Sequence, residues 1–121
     1  MTNKIETYRH SFRDRLERDF EKREAARKKA LRAVQRAFLE TITKYPAIDE
    51  AYLFGSILRT GAFRPDSDID IAIAGGSAEN YFALWHDLEE ALPDWDIDLR
   101  DLSPDTHFAK HVRRIGRKIY G

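Results

Sequence analysis

The sequence contains no cysteine, so disulfide bonds and thiolate metal sites are both excluded. Long apolar runs are missing as well. No segment approaches the roughly 20 apolar residues that a membrane-spanning helix requires, and the charged N-terminal stretch has no apolar core of a signal peptide. These absences predict a cytoplasmic protein that makes no use of a membrane.

A net charge is also missing, because 21 Lys and Arg residues balance 21 Asp and Glu residues. The balance hides three different segments: residues 1–45 carry 13 basic and 7 acidic side chains, residues 46–100 carry 3 and 12, and residues 101–121 carry 5 and 2. Acidic residues interrupt the basic first segment, which argues against direct binding of nucleic acid. The two basic segments are instead candidate docking surfaces or phosphate-facing surfaces.

Glycine and proline do not occur before Pro46, and apolar residues recur there every three or four positions. This spacing predicts a long amphipathic helix. The charged stretch at residues 21–29 predicts a solvent-exposed bridge between two packed ends. We therefore divide the chain into a helical extension, residues 1–45, and a domain, residues 46–121. The apolar stripe consists of Ile5, Tyr8, Phe12, Leu16, Phe20, Leu31, Val34, Phe38 and Ile42.

The first half of that stripe allows two interpretations. One is an ordinary charged helix whose surface faces solvent. The other is a contact surface for a partner protein or for a second copy of the chain, because a domain this small offers little surface of its own to cover four large apolar side chains. These side chains are Tyr8, Phe12, Leu16 and Phe20.

After Pro46 the pattern changes to short strands and short helices, which indicates an α+β domain. Strands are predicted at residues 51–54, 68–73, 95–100 and 117–120 from apolar runs and period-two alternation. Helices are predicted after the caps Ser77 and Ser103. Trp85 and Trp95 fit the apolar positions of these elements and are expected in the core.

Three carboxylates fall on the strand positions opposite the core. Asp68 and Asp70 are two apart on one predicted strand, and Asp98 lies on the next. Residues two apart in a strand share a face at a Cα spacing of about 6.6 Å, so their carboxylates can converge on metal ions about 3.5–4 Å apart. Oxygen ligands without a thiolate favour Mg²⁺, with Mn²⁺ as the alternative.

A second feature, Gly55-Ser56, ends the first strand. Glycine allows backbone N–H groups to approach a phosphate closely, and a helix start favours its negative charge. The pair alone is weak evidence, but it gains specificity from the acidic strands that follow. Other candidates are weaker: Asp66 is typical of a turn, and His107 and His111 are expected to be surface histidines because no third zinc ligand accompanies them.

Together these motifs resemble the minimal nucleotidyltransferases of the DNA polymerase β-like superfamily. The resemblance covers roughly residues 45–121. One departure is that eleven residues separate Ser56 from Asp68, one more than the family usually has, with the extra residue near Thr60-Gly61. The matching segments are Leu53-Phe54-Gly55-Ser56, Arg59, Gly61, Arg64 to Ile71 and Ile97 to Leu102.

The resemblance implies a polymerase β-like fold in which helices flank a small mixed sheet, with a nucleoside triphosphate and two Mg²⁺ ions at the acidic strands. It assigns catalysis and metal binding to Asp68, Asp70 and Asp98, with Asp98 also a candidate base. Nucleotide binding is expected at Gly55, Ser56, Arg59 and Ser67.

Small members of this family commonly pair with all-helical HEPN toxins, so the resemblance implies an antitoxin that transfers AMP from ATP to a tyrosine of such a toxin. A homo-oligomer formed through the N-terminal helix is a further expectation. Two alternatives remain at this stage. The first is an antitoxin that acts only by binding, and the second is a two-subunit nucleotidyltransferase that modifies a small molecule such as an aminoglycoside.

Overall fold

The computed structural model describes residues 3–121 and opens with one long helix, α1, Lys4–Ile42. The Asn3 side chain accepts a hydrogen bond from the Ile5 N–H group and caps the helix start. No glycine or proline interrupts the 39 residues, as predicted. Although α1 is long, no helix within residues 3–121 is apolar enough over a sufficient length to cross a bilayer.

The remaining elements form a four-stranded sheet and two further helices. The strands are β1, Ile48–Phe54, β2, Ile69–Gly75, β3, Ile97–Asp101, and β4, Arg117–Tyr120, in the spatial order β3-β2-β1-β4. The helices are α2, Ala78–Ala91, and α3, His107–Ile115. Strand β1 is antiparallel to β2 and β4, whereas β2 and β3 are parallel. The predicted α+β fold with a small mixed sheet is confirmed.

The two faces of the sheet have separate cores because successive side chains point to opposite sides of a strand. On one face, the C-terminal half of α1 and the helix α2 cover the sheet through Val34, Phe38, Leu84 and Leu88, which are completely buried. On the other face, α3 packs through Ala109 and Val112 against a second cluster. Trp85 and Trp95, which were expected in the core, are partly buried and pack against its first cluster.

Helix α1 reaches beyond the sheet at its N-terminal end. Within residues 4–22 every residue except Asp14 is exposed, and the large apolar side chains there are largely open to solvent, although Phe20 also lies against Gly61. The next stretch differs from its prediction. Residues 21–29 are only partly a solvent-exposed bridge, because one side of this stretch bonds to the segment after β1 through Arg23, Glu24 and Arg27.

The start of α3 also differs from its prediction. Thr106, rather than Ser103, caps the helix, and its hydroxyl oxygen accepts a hydrogen bond from the Ala109 N–H group. Ser103 instead donates its backbone N–H group to Asp101 in a local turn. The two positions compete because Ser, Thr and Asp all form such short-range bonds. In α3, Phe108 packs edge-on against Phe54, with ring centroids 5.3 Å apart.

Candidate active site

Three neighbouring strands bring the predicted site residues to the same end of the sheet. In the antiparallel pair, Phe54 at the end of β1 lies opposite Asp70 in β2, and in the parallel pair Asp70 lies beside Asp98 in β3. Gly55 follows Phe54 directly. The chain therefore places a glycine turn and two carboxylates side by side across three strands, although they are far apart in sequence.

Gly55 makes the closest approach in this site. Its φ angle of 76° lies in the left-handed region, which side chains other than glycine rarely adopt. A Cβ atom on this residue would overlap Asp70 Oδ2. Glycine thus serves both the turn and the approach of the backbone to the carboxylate, and Ser56 follows in a short 3-10 helix, Gly55–Leu58.

The Asp70 carboxyl is half-buried beside other acids. Burial, and then the negative charges of Asp98 and Asp68, together raise its pKa to about 6, against the opposing effect of Arg100 and Arg59. Negative charge is therefore concentrated here without enough positive charge to balance it. A bound cation would relieve this repulsion.

The other two carboxylates lie in different environments. Asp98 forms an ion pair with Arg100 on the same strand, with 3.1 Å between Arg100 Nε and Asp98 Oδ1. Asp68 is exposed and immediately precedes β2, instead of lying on the strand as expected. It is close enough to raise the pKa of Asp70.

The donor set fits a hard divalent cation that is bound together with a substrate. In residues 3–121, no three His, Cys, Asp or Glu side chains are grouped so that they could hold a metal ion by themselves. Mg²⁺ commonly binds one or two carboxylates and takes its other ligands from water and substrate phosphates. The adjacent Asp70 and Asp98 match that mode, provided that Asp98 is released from Arg100.

Arg59 and Ser67 lie on the segment that joins β1 to β2. Arg59 is exposed directly after the 3-10 helix, and its charge lowers the pKa of Asp70, which places it near the carboxylates. The Ser67 hydroxyl oxygen accepts a hydrogen bond of 2.8 Å from the Arg64 N–H group and closes the turn before Asp68. Ser67 thus has a structural role in the turn.

Sequence reasoning missed the residues of α1 that hold this segment. The Gly61 N–H group donates to Glu24 Oε2 at 2.8 Å, and Arg23 Nε donates to the Gly61 carbonyl oxygen at 2.7 Å. Arg27 forms an ion pair with Glu24 and also reaches the Ile57 carbonyl oxygen. Charged residues on a helix usually face solvent, so their pattern gave no signal of these contacts.

A cleft of about 430 Å³ opens between the same part of α1 and the turn before Asp68. Side chains of both signs line it, including Lys22, Arg23 and Arg64.

His107 and His111 are exposed on α3, as predicted for surface histidines.

Comparisons with known proteins agree with this geometry. The family described as polymerase beta nucleotidyltransferase matches residues 38–121. A search of curated proteins finds no match. Among solved structures, a toxin–antitoxin complex with AMP-PNP is 30% identical with a TM-score of 0.59, over 72% of this chain and 73% of the matched chain.

Two further structures are similar. A complex of a tri-AMPylated HEPN toxin of Shewanella oneidensis with an MNT antitoxin is 29% identical with a TM-score of 0.54, over 72% of this chain and 69% of that chain. A protein of Sulfolobus solfataricus, 22% identical with a TM-score of 0.50 over 82% and 85% of the two chains, shares the fold. Since the family matches more than half of the sequence, the chain belongs to the polymerase beta nucleotidyltransferase family.

Proposed function

We propose that this nucleotidyltransferase is an antitoxin that transfers AMP from ATP to a tyrosine hydroxyl of a HEPN toxin. The observation that carries the proposal is the alignment of Gly55, Asp70 and Asp98 across three strands. The similar structures support the finer assignment, because one contains an ATP analogue and another contains an AMPylated HEPN toxin.

Each residue has a role that follows from its position. The backbone N–H groups at Gly55 and Ser56 and the Arg59 guanidinium would hold the triphosphate. Asp68, Asp70 and Asp98 would hold Mg²⁺, with two ions as in the family resemblance. When bound, Mg²⁺ supplies charge neutralisation and lowers the pKa of the attacking hydroxyl.

The transfer exchanges a phosphoanhydride bond of ATP for a phosphoester bond to the tyrosine. The tyrosine oxygen forms a bond to the α-phosphorus of ATP, the bond from that phosphorus to the bridging oxygen of the β-phosphate breaks, and pyrophosphate leaves with the electron pair. Asp98 is the proposed acceptor of the tyrosine proton. It can take this role only when its ion pair with Arg100 opens, because both Asp98 carboxylate oxygens accept hydrogen bonds from the Arg100 guanidinium.

The partner would dock on the exposed stripe of α1, where five large apolar side chains are 43–71% exposed. At 100° per residue, Arg9 and Arg13 border one side of this stripe and Arg15 the other. Arg15 also lies over the Phe12 ring, 5.7 Å from its centroid. A basic border favours a toxin surface with acidic residues around an apolar centre. The stripe consists of Ile5, Tyr8, Phe12, Leu16 and Phe20.

Self-association through the same stripe stays a prediction, and the bordering arginines would oppose it by repulsion between two copies. Sedimentation of the chain alone and with its toxin distinguishes the two occupants. Phe12→Ser should weaken toxin binding and leave the free chain monomeric. A free chain that is dimeric, and becomes monomeric with Phe12→Ser, would assign the stripe to a second copy.

Mass spectrometry of the toxin tests the transfer directly. Incubation of the chain with its toxin, ATP and Mg²⁺ should add AMP to a toxin tyrosine, and Asp70→Asn should prevent the addition while leaving the circular dichroism spectrum unchanged. Asp66→Asn, an exposed turn residue close in sequence, is the matched control.

The other outcomes assign the alternatives. If Asp70→Asn neutralises the toxin as well as the wild-type chain does, and the wild-type chain adds no AMP to the toxin, the chain acts by binding alone. If AMP appears on an aminoglycoside and never on the toxin, the acceptor is a small molecule. In both cases the proposed protein acceptor is wrong.

A further inference from the structure

The segment between Ser56 and Asp68 carries nucleotide-site residues but has little regular structure. After the 3-10 helix it contains neither strand nor helix up to β2. Its internal hydrogen bonds are short-range, such as those from Ala62 to Arg59 and from Ser67 to Arg64. Such bonds shape individual turns but do not fix the position of the segment relative to the sheet.

Helix α1 supplies the long-range polar contacts. Among residues 3–121, the hydrogen bonds that join this segment to distant parts of the chain before it enters β2 are those to Arg23, Glu24 and Arg27. Both backbone groups of Gly61 are bound, and its φ of 75° is in the left-handed region. We call these three side chains the α1 clamp.

The clamp has the features of a rigid unit. Glu24 accepts from both Arg27 Nε and Nη2, at 2.8 and 2.9 Å, so the carboxylate and guanidinium hold each other in one orientation. Hydrogen bonds from Arg27 and from the Gly61 backbone lower the pKa of Glu24 to about 2. The side chains of Arg27 and Glu24 are only 13% and 14% exposed, which limits competition from water for these hydrogen bonds.

The clamp lies outside the matched family domain, which begins at residue 38. It nevertheless contacts the segment between Ser56 and Asp68. This segment follows Gly55, whose backbone lies so close to Asp70 that no side chain would fit between them. A small displacement of this segment changes where the backbone N–H groups and Arg59 lie relative to the carboxylates. Misplacement by about 1 Å can reduce an enzymatic rate about a hundredfold.

We infer that Arg23, Glu24 and Arg27 are positioning residues, which hold the loop from Ile57 to Gly61 so that the nucleotide-binding turn faces Asp70 and Asp98. The helical extension is then part of the catalytic apparatus in addition to its proposed role in docking. This inference rests on the nucleotidyl transfer proposed above.

Glu24 offers a graded test. Glu24→Ala removes the acceptor for the Gly61 N–H group, whereas Glu24→Gln keeps an oxygen at that position. We expect Glu24→Ala to lower kcat for AMP transfer about tenfold or more, and Glu24→Gln to recover part of the loss. The control is Glu21→Ala, an exposed position three residues earlier on the same helix, which should retain the wild-type rate.

Amide hydrogen exchange separates positioning from a general effect on the fold. In Glu24→Ala, the amides of residues 57–66 should exchange faster while those of β1 and β2 stay protected. A wild-type kcat despite faster loop exchange would overturn the inference. Equal loss of protection in the strands would also overturn it, because Glu24 would then support the fold as a whole.

Binding of AMP-PNP distinguishes a failure of this inference from a failure of the proposed function. If the wild-type chain transfers no AMP, the proposed function is wrong. The clamp is then judged by affinity for AMP-PNP, which should fall in Glu24→Ala, be partly restored in Glu24→Gln and be unchanged in Glu21→Ala. Equal affinity in all four chains would overturn the clamp independently.

Discussion

Gly55 and Asp70 are packed so closely that the glycine has no room for a side chain: a Cβ atom would overlap the carboxylate oxygen Oδ2. Because the φ of Gly55 is also positive, at 76°, two independent constraints apply to one residue. The backbone at the end of β1 is thereby held against the acidic strands.

Gly55→Ala should therefore reduce both stability and activity. The left-handed backbone conformation costs about 1–2 kcal/mol for alanine, and displacement of Asp70 should reduce AMP transfer strongly. Chemical denaturation and a transfer assay measure the two effects. Gly76→Ala is the control, since Gly76 has a similar φ of 80° but follows the opposite end of β2. If both variants transferred AMP equally well, the close approach at Gly55 would have no catalytic role.

Asp98→Asn should strongly reduce AMP transfer, because the amide is a poor metal ligand and cannot accept the tyrosine proton. The expected loss in kcat is about a hundredfold or more. Asp96→Asn changes an exposed carboxylate two residues earlier and should leave the rate unchanged. Transfer by Asp98→Asn at the rate of Asp96→Asn would remove Asp98 from the site.

Arg100→Gln should strengthen metal binding. The substitution frees Asp98 from its ion pair and removes a positive charge near the site. Removal of a unit charge about 6 Å away in water should raise the affinity for a cation about threefold or more for each charge on the metal. Calorimetric titration with Mn²⁺ measures the affinity. Arg117→Gln, on the opposite edge strand, controls for the loss of one charge. Unchanged affinity in Arg100→Gln would show that the ion pair does not compete with the metal.

Glu50 should make the stability depend on pH. Hydrogen bonds from Arg113 hold the pKa of Glu50 below its ordinary value of 4.5. The resulting stabilisation is present above pH 4.5 and is lost as the pH falls through the lowered pKa. It is expected to be below about 1 kcal/mol, because Arg113 is 40% exposed and water screens the pair.

The corresponding variant is Glu50→Gln, which should lower Tm at pH 7 by an amount that shrinks as the pH falls below 4.5. Thermal unfolding followed by circular dichroism across this pH range measures the difference. Glu89→Gln, at an exposed position of α2, provides the comparison at each pH. A difference between Glu50→Gln and wild type that is independent of pH would contradict the assignment of this effect to the Glu50 charge.

The sequence was most informative where local patterns have direct physical causes. Alternating isoleucines at Ile69, Ile71 and Ile73 predicted β2, because strand side chains alternate between faces. The motif residues Gly55, Asp70 and Asp98 were also identified, and the structure brings them together. Pattern alone placed Asp68 on the strand, whereas β2 starts one residue later, since strand ends depend on pairing with neighbours.

Contacts between distant segments could not be derived in the same way. Glu24 and Arg27 are spaced like an ordinary surface ion pair, and only the fold reveals that Gly61 and Ile57 lie beneath them. The prediction of Ser103 as the cap of α3 was wrong for a related reason. Several residues there can cap a helix, and tertiary packing selects Thr106.

Strand β4 has one further consequence for the molecule. It forms one edge of the sheet, it has only four residues, and two of them are the exposed Arg117 and Lys118. Short edge strands with basic side chains resist pairing with the edges of other sheets. Lys118 also lies 3.7 Å from Glu50, which keeps its ammonium beside the sheet. The edge is thereby protected against aggregation through strand addition.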